Sequence, residues 1–118
     1  MPQPSAFEPI WPPVSADAFE AWPEVREARK MYEGQKLALH GLATEGLAEL
    51  TGKDAHRLAR EIALLLHNIS GTAAHFGEAP MGLRAGELEQ AVRTAFTQQL
   101  LRPRCTDILM ALDPEFGA

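Results

Sequence analysis

The segment AHRLAREIALLLHNISGTAAHF, residues 55–76, carries the most regular hydrophobic pattern in the chain. At about 100° per residue in an α-helix, its apolar side chains fall on one stripe. The residues of this stripe are Leu58, Ile62, Leu65, Ile69, Ala73 and Phe76. Asp54 is expected to cap the helix at its N-terminus, and Gly77 is expected to end it. The segment therefore predicts an amphipathic helix that buries one face.

Helical spacing continues on both sides of this segment. Pro23 suits the first turn of a preceding helix, expected to run to about Leu50, because a helix needs no backbone donor in its first turn. After a tight connection Pro80 begins a third helix, Pro103 breaks it, and a short last helix ends near Asp113. No alternating apolar pattern predicts a strand. The sequence thus predicts an all-α, antiparallel four-helix bundle with a short last helix.

The N-terminus differs in composition from the rest of the chain. Residues 1–14 are expected to form an extended proline-rich arm, because five of the first thirteen residues are proline and X-Pro steps disfavour helix. Residues 15–118 are expected to form the bundle, which begins with a short helix through Trp22. Phe7 and Trp11 are large for a free tail, so the arm either folds back onto the bundle or contacts a partner.

Composition argues against several classes of function. The 118 residues are 46% hydrophobic, enough for a buried core, and the formal charge is -5 with no block of Lys or Arg. A nucleic-acid partner is therefore not expected. The longest apolar run, Ile62–Leu66, is far too short to span a membrane. The single cysteine, Cys105, cannot form an internal disulfide and no secretion signal is visible, so a soluble cytoplasmic protein is expected.

His67 is predicted to point away from the core, because it lies nine residues from Leu58, about 180° around the helix. Its expected neighbours on that outward face are Arg60, Ala63, Leu64, Gly71 and Ala74. Such a face leaves the imidazole accessible, and Leu64 offers a docking protein an apolar surface. A mid-helix glycine costs about 1 kcal/mol relative to alanine. Gly71 therefore indicates either access for a partner or tight packing of a neighbouring helix.

The segment HNISGTAAHFG, residues 67–77, resembles the signature of histidine phosphotransfer (HPt) domains, H-x-x-K-G-[SA]-[SA]-x-x-[FLV]-G. In this resemblance His67 takes the phosphoryl-accepting position, Gly71 the glycine one turn later and Gly77 the glycine that ends the helix. The other matched positions are Thr72, Ala73, Phe76, Met81, Ala85, Leu88 and Glu89. The match is specific over residues 64–89 and only general, through the bundle pattern, from about Pro23 to Leu101; the proline-rich arm and the C-terminus fall outside it.

The resemblance implies a protein that carries a phosphoryl group on His67 between aspartates of response-regulator receiver domains in two-component signalling. The implied partner is a receiver domain or a hybrid sensor kinase, with Mg²⁺ held by the receiver and no cofactor or metal in this chain. Ala63, Leu64 and Ala74 would form the receiver-docking surface. No P-loop or other glycine-rich phosphate loop occurs, so an autonomous kinase is not expected, and whether the chain counts as an enzyme stays open.

One position departs from the family pattern, because Ser70 stands where the family usually has lysine. A lysine there would place positive charge beside the phosphoryl group, whereas Ser70 donates only a hydrogen bond. Arg60, two turns before His67, and Arg84 on the third helix are candidate substitutes. The alternative interpretation is a degenerate adaptor that docks a receiver or sensor kinase without efficient phosphotransfer. A third interpretation is an unrelated helical interaction module.

The short last helix expected after Pro103 has a consequence for assembly. It would leave an apolar flank of the third helix uncovered. Either the N-terminal segment around Phe19 and Trp22 or a second copy of the chain would cover that flank. The sequence is therefore compatible with a monomer or a homodimer.

Overall fold

The computed structural model describes residues 22–95 and 97–113, which are all-α and form a four-helix bundle, as predicted. The helices are α1 (Pro23–Glu45), α2 (Gly52–Thr72), α3 (Ala79–Arg93) and α4 (Gln98–Leu112). A 3-10 turn, Ala73–Phe76, extends α2. The predicted arm at residues 1–14 and the predicted short helix before Trp22 lie outside the described residues.

The chain divides into two compact units, Met1–Met31 and Tyr32–Ala118. The division falls inside α1, and residues 23–31 of the first unit form the beginning of that helix. The candidate site lies within the second unit. None of the described helices is both long and apolar enough to cross a membrane.

Helix α2 begins at a threonine cap. Thr51 has an extended backbone, and its side chain accepts a hydrogen bond from the Asp54 backbone N–H at 3.1 Å. The prediction of Asp54 as the cap is therefore wrong, and its carboxylate instead lies in the first turn, where it favours the helix dipole. Helix α1 also ends at Glu45, before the predicted Leu50. A Cβ atom on Gly46 would collide with the Cys105 sulfur, so this turn packs tightly on α4.

The connection between α2 and α3 is as predicted. Gly77 has a φ of 77°, and its N–H donates to carbonyl oxygens of the 3-10 turn. This left-handed conformation favours glycine, which has no Cβ to clash. Pro80 follows in the first turn of α3, where its missing N–H leaves no bond unmade.

The boundary between the last two helices was predicted wrongly. Helix α3 ends at Arg93, and α4 begins at Gln98, where the Thr97 side chain accepts a hydrogen bond from Leu100 N–H at 3.3 Å. Pro103 lies inside α4, close to its beginning, and does not break it. The last helix therefore has 15 residues, the same as α3. The prediction of a short last helix is therefore wrong, and an uncovered flank of α3 no longer follows from it.

Helix α2 packs against both α3 and α4, so its buried face is wider than a single stripe. Leu58, Ile62 and Ile69 are buried as expected, whereas Leu65 and Phe76 lie half-buried at the edge. The additional buried residues of α2 are Ala55, Ala59, Ala63 and Leu66. From α3, Ala85, Leu88 and Val92 complete this core, and α4 adds Leu101, Cys105, Ile108 and Leu109.

Candidate functional site around His67

His67 lies in the penultimate turn of α2, with its side chain on the surface. The side chain is 65% exposed, as the helical wheel predicts. Both oxygens of the Glu89 carboxylate lie 3.3 Å from the imidazole Nδ1. Glu89 is on α3, 22 residues further along the chain. The antiparallel packing of α2 and α3 therefore places a carboxylate against one edge of an otherwise open histidine ring.

Glu89 is held in place from its other side. Its side chain is 7% exposed, and Arg93, one turn later on α3, donates from Nε to Oε2 at 2.9 Å. A second guanidinium nitrogen of Arg93, Nη2, also donates to Oε2. A nearly buried carboxylate requires such partners, because an unpaired charge away from water is strongly unfavourable. His67, Glu89 and Arg93 thus form one hydrogen-bonded chain, called the triad below.

His67 and Arg93 lower the pKa of the Glu89 carboxyl group. Burial acts to raise the pKa of this carboxyl group, but the hydrogen bonds from Arg93 and His67 outweigh it and hold the pKa below its usual value. Glu89 is consequently ionised at neutral pH and can only accept hydrogen bonds. In a neutral imidazole the hydrogen must then reside on Nδ1, which leaves the Nε2 lone pair available. The geometry prepares an exposed histidine to act as a nucleophile through Nε2.

Ser70 does not replace the lysine of the family pattern. Its hydroxyl donates to the His67 backbone carbonyl at 2.8 Å, so it is engaged within α2. The candidate substitute Arg84 pairs with Glu87 at 3.1 Å on the outer face of α3, and the structure does not bring it to His67. The other candidate, Arg60, lines a groove whose described lining residues do not include His67. The cation that reaches the site, through Glu89, is Arg93.

The two explanations of Gly71 can now be separated. Apart from its chain neighbours and the backbone of its own helix, no described atom lies within 4 Å of the position that a Gly71 Cβ would occupy. Gly71 therefore does not serve tight packing against another described helix, and access for a partner stays a prediction. The close approach of the helices uses Gly82 on α3 instead, where a Cβ would lie 3.3 Å from both the Ser70 carbonyl oxygen and the Ala73 Cβ.

The predicted docking residues divide between surface and core. Leu64 is 60% exposed and Ala74 is also exposed, so both lie on the surface of α2 and its 3-10 extension. Ala63 is 4% exposed, and its prediction as an outward residue is wrong because α3 covers that side of the helix. The surface beside His67 is consequently formed by Leu64, Gly71 and Ala74.

A groove of about 580 Å³ lies next to the triad, between α2 and the end of α3. Its apolar lining residues are Ala59, Ala63, Leu64 and Val92, and its basic ones are His56, Arg60 and Arg93. Arg93 therefore belongs to both the triad and the groove. No group of three or more His, Cys, Asp or Glu side chains within residues 22–95 and 97–113 is arranged to hold a metal ion.

Glu89 and Arg93 are the site residues that sequence analysis missed as functional. A usable signal existed, because a glutamate four residues before an arginine can form an ion pair on a helix. Glu89 also lies beside Leu88, on the face of α3 that the apolar spacing turns towards the core. The pairing of Glu89 with His67, however, depends on how α2 and α3 align, which no local spacing encodes.

Searches against protein-family models, curated proteins and solved structures found no match for this chain. The resemblance to HPt domains therefore rests on the residues of its signature.

Proposed function

We propose that this protein is a histidine phosphotransfer protein with His67 as the phosphoryl acceptor. The observation that carries the proposal is the exposed imidazole whose Nδ1 is held by an ionised, nearly buried carboxylate. This ring is held at one nitrogen and is otherwise largely exposed. The proposed partner is a receiver domain of a response regulator or hybrid sensor kinase, and the proposed location is the cytoplasm.

In the proposed reaction, Nε2 of His67 attacks the phosphorus of an aspartyl phosphate on the receiver. The N–P bond forms as the bond between phosphorus and the aspartate oxygen breaks, and the aspartate leaves as a carboxylate. The ring keeps its hydrogen on Nδ1 and becomes positively charged, and the adjacent Glu89 carboxylate stabilises that charge. The reverse reaction returns the phosphoryl group to an aspartate. The receiver is expected to supply the Mg²⁺.

Arg93 has a positioning role in this proposal. Glu89 and an incoming phosphoryl group carry like charges and would repel each other at short range. The two hydrogen bonds from Arg93 offset the charge of Glu89 while keeping its oxygens against Nδ1. Arg93 thereby allows the carboxylate to orient the histidine without opposing the phosphoryl group.

The position of Ser70 favours a second candidate function, a docking adaptor that transfers phosphate poorly. Its hydroxyl donates a hydrogen bond to the His67 backbone carbonyl, and it places no positive charge where the family usually has lysine. Such an adaptor would keep the docking surface of Leu64, Gly71 and Ala74 and bind a receiver without accepting its phosphate.

The test is transfer of label from receiver domains of the source organism, each phosphorylated with radiolabelled acetyl phosphate. We expect acid-labile, alkali-stable label on the wild-type chain and none on the His67→Gln variant. His75→Gln is the matched control, because His75 is also exposed, lies in the same segment and has no part in the triad. It should accept label like the wild type.

Two results would contradict the proposal. Label that persists on His67→Gln would show that another residue is the acceptor. Receivers that bind the chain but never label it would instead support the adaptor.

A further inference from the structure

The groove beside the triad is positively charged, in contrast to the net negative charge of the chain. The chain carries a net charge of -5 with histidine counted as neutral, yet none of the described groove-lining residues is acidic and two, Arg60 and Arg93, are positively charged. Arg60 has no carboxylate partner among the residues that the structure describes, in contrast to Arg57, which pairs with Glu61 on the same helix. Positive charge is therefore concentrated at the groove and left available at Arg60.

The groove also has an apolar surface next to this charge. Ala59, Ala63 and Val92 are buried core residues whose edges reach the groove, and Leu64 is a large exposed side chain at its border. Alanines at two successive turns of α2 leave the space that larger side chains would fill. A volume of about 580 Å³ lies within the range of about 300–1,000 Å³ typical of small-molecule sites.

We infer that this groove binds a small amphipathic anion, with an apolar body against Ala59, Ala63 and Val92 and a sulfonate, carboxylate or phosphate group on Arg60. Two nitrogens of Arg93 are committed to Glu89, and its remaining Nη atom faces no described acceptor. Arg93 can therefore add a hydrogen bond to the anion without leaving the triad. A neutral ligand of the same shape would gain the apolar contacts alone.

Binding there has a regulatory consequence, which rests on the proposed phosphotransfer function. A ligand in the groove would cover Leu64, one turn from His67, and would engage Arg93. It would obstruct a docking receiver and place a second anion beside the guanidinium that offsets the charge of Glu89. Occupancy of the groove should consequently slow phosphoryl transfer to His67 without altering the histidine itself.

The binding test uses two fluorescent probes, anilinonaphthalene sulfonate and its uncharged counterpart phenylnaphthylamine, which lacks only the sulfonate. We expect saturable binding of the sulfonate, with amide NMR shifts confined to residues 56–64 and 92–93. The uncharged probe should bind about fivefold more weakly, the size of one exposed ion pair. Arg60→Gln should remove that difference, and Arg57→Gln, the matched control, should keep it.

A second variant tests the shape of the site. Ala63→Leu adds volume at the floor of the groove and should weaken both probes, with the circular dichroism spectrum showing that the bundle remains folded. Equal binding of both probes to the wild type, or shifts located elsewhere on the chain, would overturn the inference. So would an Arg60→Gln variant that still prefers the sulfonate.

The regulatory consequence is measured by label transfer with and without saturating sulfonate. We expect at least a threefold slower transfer with the probe, since it covers part of the docking surface. An unchanged rate with the groove filled would overturn the regulatory consequence alone. No transfer in the absence of the probe would contradict the proposed function, while the NMR shifts would still decide whether the groove is a site.

Discussion

Two glutamates, one just before α3 and one within it, have comparable partners in different environments. Glu78, just before α3, accepts from the Tyr32 hydroxyl at 2.5 Å and from Lys36 at 3.0 Å. Glu89, further along, accepts from Arg93 and faces His67. Each carboxylate thus combines one cation with one ring of another helix.

The two rings differ in exposure. Tyr32 is 1% exposed and stacks on Phe76 with ring centroids 5.3 Å apart, so the cluster around Glu78 ties α1 to the α2–α3 connection. The His67 side chain is 65% exposed, and no comparable ring contact covers it in the described structure. The same carboxylate chemistry therefore stabilises the fold at Glu78 and presents a reactive group at Glu89.

The largest expected effect is on the free energy of unfolding, which should depend on Tyr32 far more than on His67. Tyr32→Ala should lower the free energy of unfolding by about 3–5 kcal/mol, because it empties a buried aromatic site and leaves Glu78 with one partner fewer. His67→Ala should change it by only about 0.5 kcal/mol, since the ring is mostly in water. Urea unfolding followed by circular dichroism measures both. Similar losses for the two variants would contradict the division into a structural and a presenting site.

A smaller effect concerns the pH dependence at Glu89. Its pKa is lower in the folded state than the ordinary value of 4.5, so its ionised form stabilises the fold. That contribution is complete above the ordinary pKa and is lost as the pH falls through the lower folded-state value. Glu89→Gln should therefore be less stable than the wild type by about 1–2 kcal/mol at pH 7.

The same comparison repeated at acidic pH checks the sign. The gap between wild type and Glu89→Gln should narrow as the pH falls below 4.5. A gap that stays constant, or widens, in urea titrations over this range would show that the triad does not hold Glu89 in its ionised form.

The smallest expected effect is at Ser70. Ser70→Lys would place a flexible cation at the half-buried edge of α2, one turn after His67, near the expected phosphoryl group. We expect the phosphohistidine lifetime, or the transfer rate, to increase about fivefold through one added charge-assisted interaction. The measurement is loss of label from the phosphorylated chain over time. No gain in either quantity would indicate that Arg93 already supplies the charge that the reaction needs.

Much of the fold followed from local patterns. The spacing from Leu58 to Ile69 identified α2 and the exposed position of His67, and Gly77 identified the end of that segment. The first two features follow from helix periodicity. The third follows from the left-handed conformation that glycine favours. The errors arose where a competing local signal was stronger. Pro103 suggested a helix break. In the structure Thr97 caps the N-terminus of α4, and Pro103 lies inside that helix.

Helix periodicity predicted only part of the candidate site. His67, Leu64 and Ala74 could be placed because they lie on one segment with one period. Ala63 was misplaced, and Glu89 was missed as a partner of His67, because both depend on how α3 lies across α2. That alignment depends on the close packing at Gly82 and on the α2–α3 connection. It cannot be predicted from the residues near His67.

The tautomer of His67 tests the central claim most directly, and it can be measured without a partner protein. Long-range ¹H–¹⁵N NMR distinguishes a protonated from an unprotonated ring nitrogen in the neutral imidazole. The triad predicts hydrogen on Nδ1 and an unprotonated Nε2 in the wild type, with a shift towards the Nε2–H form in Glu89→Leu. A wild-type ring that carries its hydrogen mainly on Nε2 would contradict the account, because its outward nitrogen would have no lone pair for phosphorus.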